Sequence, residues 1–172
     1  MILLFYISQL GGRKKQMIKI RKYKDSDLVK VALLVKNTFK KFNSREYFKE
    51  EAIKNYLSQY NIDKNSKKEL IQRFKKTPIF YVATENNKII GAIRGKKDKI
   101  TNLFIDKNYH QRGIGKKLVE KFETEVIKQR LNKIKIHSSL YAIPFYKKMG
   151  YKKSTGIRNF HGLKVQPMKK VL

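Results

Sequence analysis

The chain contains no cysteine. That excludes a disulfide framework, a thiolate nucleophile and any cysteine-ligated metal centre. Its three histidines (His110, His137 and His161) are scattered, so no closely spaced pair marks a metal site, and no metal is expected. Acidic residues are scarce: 13 Asp and Glu stand against 42 Lys and Arg, a formal net charge of +29. Such a field favours anionic partners, whether nucleic acid, anionic membrane or phosphorylated small molecules. Only eight of the bases are arginine, and the lysines are spread along the whole chain. Nucleic-acid recognition patches usually cluster and lean on arginine, so dedicated nucleic-acid binding is disfavoured. The apolar start, Met1–Ile7, is far shorter than the roughly 20 residues that span a bilayer. Its basic residues, Arg13, Lys14 and Lys15, follow the apolar run, whereas a secretory signal has them first. Residues 1–16 are therefore read as a dispensable extension, residues 17–172 as one domain, the compartment as cytoplasm and the partners as non-membrane.

No repeats or low-complexity linkers interrupt the chain. Met17–Tyr23 alternates apolar and basic residues, as a half-buried first strand does. Asp25 or Ser26 is expected to cap a helix that lines up Leu28, Val31, Ala32, Val35 and Phe39. After the Asn43-Ser44 break, Phe48, Ala52, Tyr56 and Tyr60 recur at four-residue spacing. Ser66 and Glu69 fit a capping box opening a short helix that buries Leu70, Ile71 and Phe74. That helix should stop before Thr77-Pro78, because proline disfavours helix at the preceding residue. From Pro78 the pattern changes to strands: Ile79–Ala83, Lys88–Arg94 across an Asn86-Asn87 turn, and Ile100–Ile105 after a turn at Asp98. Lys133–His137 is a further strand. Ser138-Ser139 is a plausible cap for a short helix over Tyr141–Gly150, with Pro144 in its first turn and Gly150 stopping it. Two final strands start at Tyr151 and Gly162. The expected architecture is α/β: a mixed, mostly antiparallel twisted sheet of about seven strands with helices on both faces.

The stretch Asn102–Glu123 carries the strongest chemical signal. A strand ends at Ile105, and a loop leads to Gly113-Ile-Gly115, which opens a helix. Ile114, Leu118, Val119, Phe122 and Val126 give that helix one apolar face. A helix N-terminus presents unpaired N–H groups and partial positive charge, and glycines let an anion approach them. Lys116 and Lys117 in the first turn add attraction for phosphate, although a solvated helix face explains them equally well.

Three motifs in order make the chain resemble the GNAT superfamily of acyl-CoA N-acyltransferases from about Met17 onward. They are Leu103-Phe-Ile105, then His110-Gln-Arg-Gly-Ile-Gly115, then Phe145-Tyr-x-x-x-Gly-Tyr151. The family pattern for the second is Gln/Arg-x-x-Gly-x-Gly/Ala, so His110 departs from it at the first position. The resemblance implies acetyl-CoA as co-substrate, its pyrophosphate over the N–H groups of Gln111, Arg112, Gly113, Ile114, Gly115 and Lys116. It implies that the pantetheine arm pairs with the backbone of Leu103, Phe104 and Ile105, where the fourth and fifth strands splay after a bulge. A backbone N–H near Ile105 would then polarise the thioester carbonyl.

By the same resemblance Tyr146 is the general acid that protonates the departing thiolate. An aromatic in a short helix equally suits core packing, but the neighbouring Phe145 can fill that position. The family often places a glutamate on its fourth strand as base; here that strand has no acid. His137, Glu85 and Asp98 are the nearest candidates, and a water chain to solvent is the default. The implied activity is transfer of acetyl from acetyl-CoA to a primary amine of a small molecule or peptide in a ternary complex. The alternative is a non-catalytic basic protein of this fold that binds RNA or ribosomes. An enzyme preferring a longer acyl-CoA, or acylating a protein terminus, is a narrower variant. The acceptor pocket of the family is built from its first two helices and final hairpin, which here offer Phe39, Phe42, Tyr47, Arg158, Phe160 and His161. A +29 chain is poorly suited to a polycation such as spermidine and better suited to an amine bearing a carboxylate or phosphate. Homodimers are common in the family.

Overall fold

The computed structural model describes residues 17–43, 47 and 49–172. The extension 1–16, Ser44 and Phe48 lie outside the described residues. Eight strands form one continuous sheet around which the helices pack. In chain order they are β1 (Lys19–Lys22), β2 (Ile79–Glu85), β3 (Lys88–Lys96), β4 (Lys99–Ile105), β5 (Lys133–Ser138), β6 (Lys152–Lys153), β7 (Arg158–Phe160) and β8 (Leu163–Val171). The spatial order is β1-β2-β3-β4-β5-β8-β6, with β7 also on β8. Only β4 and β5 run parallel, so the sheet is mostly antiparallel, as expected, with one strand more than the count of about seven. The extra strand is the three-residue β7, in the stretch read as a loop between the strands expected from Tyr151 and Gly162; it is too short to leave a pattern in sequence.

Helices α1 (Leu28–Phe42), α2 (Glu51–Ser58) and α3 (Lys64–Lys75) cover one face. Their apolar stripes meet Phe80, Val82, Ala92 and Phe104 of the sheet. Helices α4 (Ile114–Lys128) and α5 (Ile143–Lys148) cover the other, against Ile90, Ile93, Ile100, Ile134 and Ile136. All five residues of the anticipated α4 stripe are essentially solvent-free. Among the described residues no helix is long and apolar enough to cross a membrane.

Three cap expectations are corrected. The first is Ser138-Ser139, since α5 follows Ala142 with no side-chain cap and Ser139 Oγ accepts from Ala142 N–H, ahead of the helix, at 3.3 Å. Helix α3 begins at Lys64, with the Asp63 carboxylate accepting from Ser66 N–H at 3.1 Å, so Ser66 lies inside the helix. A carboxylate three positions upstream of the proposed box start already satisfies the free donor. At α1 neither Asp25 nor Ser26 caps; a 3-10 turn over Asp25–Asp27 intervenes. Asp27 precedes the helix, but its buried carboxylate accepts instead from Arg21 at 2.6 and 2.9 Å and from Lys24 N–H at 2.9 Å.

Turn chemistry fixes the hairpins. Asn86 and Asn87 both have positive φ (48° and 61°), the conformation of a type I′ turn, which asparagine tolerates. At the end of α5, Gly150 N–H bonds to the Lys147 carbonyl and Tyr151 N–H to the Tyr146 carbonyl. With Gly150 at φ 86°, this is a Schellman motif, and it folds Tyr151 back onto Tyr146, ring centroids 5.4 Å apart.

Candidate active site

The site grows from a fault in the sheet. In the β3–β4 ladder Gly95 faces Ile100 but Arg94 faces Asn102, leaving Thr101 as one extra residue on β4. Such a bulge bends and twists its strand. Immediately there, β4 and β5 part: their parallel pairing is confined to Lys99 with Lys135 and Ile100 with Ile136. From Asn102 to Ile105 the β5 side of β4 is an open backbone edge. Asp106 N–H donates to the Ile90 carbonyl on β3 at 2.8 Å. Alternation along an antiparallel strand therefore turns the N–H and C=O of Ile105 and Leu103 away from β3 and into the gap.

Beyond the gap the loop climbs to α4. Gln111 (φ 60°) and Gly113 (φ 74°) are both left-handed, with Arg112 between them. Alternation of this kind curls successive N–H groups into an anion-binding concavity. The first α4 bond runs from Lys117 N–H to the Gly113 carbonyl at 3.1 Å, and no side chain caps the helix. The N–H groups of Ile114, Gly115 and Lys116 thus have no helical acceptor. The two glycines serve different ends. A Cβ on Gly113 would meet nothing within 4 Å, whereas one on Gly115 would lie 3.3 Å from the Phe145 ring. Gly113 therefore supplies the left-handed turn and an open front, while Gly115 lets α4 and α5 approach.

The side chains of the loop are committed. Arg112 reaches across to the buried Glu85 at 2.6 Å and lies over the Tyr109 ring. Lys116 is exposed and pairs loosely with Glu120 at 3.8 Å. His110 Nε2 contacts the Ile105 carbonyl at 3.0 Å, and its ring stacks on Phe42, which stacks in turn on Tyr141. Ile105 and Leu103 are half-buried and Phe104 is buried.

Tyr146 sits on α5 with only 3% of its surface exposed. Burial pushes its phenol well above the usual tyrosine value, so it stays protonated. Its ring packs against Phe145 and Tyr151, and among the described residues no protein group hydrogen-bonds its hydroxyl. Of the three candidate bases, Glu85 is bound to Arg112 and Asp98 to Lys135 at 2.8 Å. His137 is the residue following the last β4–β5 pair, edge-on to Phe160 at 5.0 Å. Burial, then Lys99, hold its pKa below the ordinary histidine value.

The aromatic acceptor candidates gather from three elements. Phe39 stacks on Tyr56 at 4.2 Å, Phe42 on His110, and Tyr47 bridges to Leu163 of β8. The β7–β8 turn carries Phe160 and His161 and docks on α2: a Cβ on Gly162 would come within 2.6 Å of Ala52. Arg158 and Phe160 remain exposed on β7. Sequence reading missed the polar group beneath them. Asn102 accepts from Tyr60 Oη at 3.1 Å and donates to Tyr56 Oη at 3.0 Å, and Arg94 reaches Tyr60 Oη at 3.3 Å. The signal was present, since Tyr56 and Tyr60 are one helical turn apart, but it reads as core spacing.

Comparison with known proteins places this arrangement. The chain is similar in structure to a GCN5-related N-acetyltransferase from Rhodopseudomonas palustris, at TM-score 0.76 and 19% identity over 90% of this chain and 95% of that one. It is similar to the PaiA N-acetyltransferase of Thermoplasma acidophilum in complex with coenzyme A, at 0.70 and 23% over 91% and 99%. An aminoglycoside 6′-N-acetyltransferase complexed with coenzyme A gives 0.65 and 16% over 89% and 96%. No curated protein matches the sequence. Residues 34–172 match the family model of the acetyltransferase (GNAT) domain, and the chain therefore belongs to the GNAT family of acyl-CoA-dependent N-acyltransferases.

Proposed function

We propose that the protein moves the acetyl group of acetyl-CoA to a primary amine of a small molecule or peptide by direct attack in a ternary complex. The observation that carries this reading is continuity. The open edge of β4, Leu103–Ile105, leads straight into the unpaired N–H groups of residues 111–116, so one surface suits an extended amide-bearing arm and the anion at its end. Two structural neighbours crystallised with coenzyme A support the same reading.

Acetyl-CoA supplies an acyl group already activated as a thioester. The N–H groups from Gln111 to Lys116 hold the diphosphate, with the Lys116 ammonium adding charge. The backbone of Leu103, Phe104 and Ile105 holds the arm, Leu103 directing its N–H and C=O to it and Ile105 its N–H. The Ile105 carbonyl already accepts from His110 Nε2 at 3.0 Å and Thr38 Oγ1 at 3.4 Å. With the diphosphate at α4, the reacting end points back toward Thr101, where β4 and β5 meet. A gap-facing N–H of β4 then stabilises negative charge on the carbonyl oxygen. Tyr146 holds its proton for the sulfur that leaves as the new carbon–nitrogen bond forms, and regains one from solvent. The amine's proton passes to water at the apex of the gap, beside the neutral His137.

Thermal melting tests this directly. Acetyl-CoA should raise the melting temperature, and Gly113→Glu, which puts a carboxylate where the diphosphate binds, should abolish the shift. No stabilisation by acetyl-CoA or CoA would overturn the reading. Salt-sensitive RNA binding indifferent to CoA would favour the non-catalytic alternative.

A further inference from the structure

Arg94 and Arg73 form a cationic pair inside the α1–α3 layer, and among the described residues neither makes an ion pair with a carboxylate. Arg94, opposite Asn102 in the ladder, lies over the Phe74 ring at 5.2 Å and donates to two neutral hydroxyls at the long end of hydrogen-bond range. These are Tyr60 Oη at 3.3 Å and Thr77 Oγ1 at 3.4 Å. Arg73 is held by the side-chain and backbone oxygens of Gln59, lies over the Tyr60 ring, and leaves Nε sealed without a partner. Burial lowers its pKa, and the nearby Arg94 lowers it too, against opposing effects of Tyr60, Tyr56 and Glu69. A half-buried pair of like charges with an orphaned N–H is a costly arrangement in a fold that has arginine–carboxylate pairs elsewhere.

The same cluster adjoins the apex of the gap. Tyr56 and Tyr60 bring their hydroxyls to Asn102, one residue past the bulge, on the face opposite α4. In the acetyltransferase reading, with Tyr146 on the α4–α5 face holding its proton for the departing sulfur, the amine approaches from this opposite face. The enclosed space beside Arg94 and Asn102 is only about 10 Å³, room for one water at most. An incoming group therefore sits at the outer rim of Arg94, which is not fully buried. A planar carboxylate matches the guanidinium fork there, with two parallel N–H bonds.

We infer that the acceptor amine carries a carboxylate, which Arg94 binds with Arg73 and the Tyr60 hydroxyl behind it; the inference rests on the acetyltransferase reading above. The acceptor class is thus an amino acid or a short peptide with a free C-terminus, and its negative charge supplies what the two arginines lack.

The test compares free amino acids and dipeptides with their carboxamides as acceptors, reading free thiol released from acetyl-CoA. The carboxylate form should be favoured in kcat/KM by roughly 30-fold, the worth of a charge-assisted hydrogen bond. Arg94→Gln should bring that ratio close to one, Arg94→Lys should restore part of it, and Arg73→Gln should lower it less. Stabilisation by acetyl-CoA in each variant shows that the fold and donor site persist. Equal use of acid and amide, a preference that survives Arg94→Gln, or no reaction with any carboxylate-bearing amine would overturn the inference. If these occur while acetyl-CoA still stabilises the protein, the acetyltransferase reading stands. If acetyl-CoA neither stabilises nor reacts, both fail together.

Discussion

The His110 Nε2 atom lies 3.0 Å from the carbonyl oxygen of Ile105, so the residue that departs from the family motif ties the loop before α4 to the last residue of the open strand. With Nε2 donating, Nδ1 is left as an acceptor toward Tyr141 Oη, 3.5 Å away. A carbonyl at the end of the β4 edge is thereby held in place without a bound ligand. His110→Ala should loosen this end. We expect KM for acetyl-CoA to rise about fivefold, the worth of one ordinary hydrogen bond, with kcat little changed. Steady-state kinetics with varied acetyl-CoA checks this, and an unchanged KM would remove His110 from the donor site.

The two glycines of the turn should respond differently. Gly113→Ala adds a methyl group in open space but at φ 74°, a cost of roughly 1–2 kcal/mol for an L-residue in the left-handed region. For a chain of this size that is a melting-temperature drop of about 2–8 °C, measurable by calorimetry. Gly115→Leu instead pushes against the Phe145 ring, 3.3 Å from the would-be Cβ. Because Phe145 adjoins Tyr146 on α5, it should lower kcat as well as stability.

Tyr146→Phe removes a proton donor and leaves the packing against Tyr151 intact. The expected loss in kcat is about 100-fold, the lower end for general acid catalysis, with acetyl-CoA stabilisation retained. Burial raises the phenol pKa, so no basic limb from Tyr146 should appear in the rate profile up to pH 10, the ordinary tyrosine value. Wild-type turnover in the phenylalanine variant would exclude the role.

His137 should set an acidic limb displaced below the ordinary histidine pKa of about 6.5, because burial and then Lys99 disfavour its charged form. Rate should hold as pH falls through the ordinary value and decline only below it. Lys99→Gln should move the limb upward, and His137→Gln should remove it. A limb unmoved by either variant would assign proton removal to water alone.

Asp27 predicts an acid sensitivity of the fold. Burial alone would raise its carboxyl, but the bonds from Arg21 and Lys24 N–H outweigh it and hold the carboxyl below the usual range. A depressed folded-state pKa contributes stability that is present above the unfolded value, near pH 4, and is lost as pH falls through the folded one. Asp27→Asn should therefore lower the melting temperature at pH 7 and flatten its dependence on pH below 4. Equal slopes in both proteins would show that the pair does not couple to folding.

Local chemistry was legible wherever neighbours in sequence decide the conformation. The Asn86-Asn87 turn, the apolar stripe of α4 and the stop at Gly150 each depend on residues within a few positions, and each is where the pattern put it. Cap choice was less legible, because Asp63 and Ser66 both offer an oxygen and only the built helix shows which N–H is free. At α1, Asp27 was drawn into a tertiary bond with Arg21, six residues away, which no local pattern encodes.

The stretch from Leu103 to Lys116, with its glycines and the Phe145-Tyr146 pair downstream, carried the resemblance to the GNAT family, and the family model bears that membership out. An N–H-rich turn is a property of consecutive residues. The opening in the sheet and the polar cluster beside it were decided only by tertiary structure. The bulge at Thr101 and the parting of β4 from β5 depend on pairing between distant strands. Arg94, Tyr60 and Asn102 come from a strand, a helix end and another strand, and they share one hydrogen-bonded cluster only because the sheet and α2 close over it.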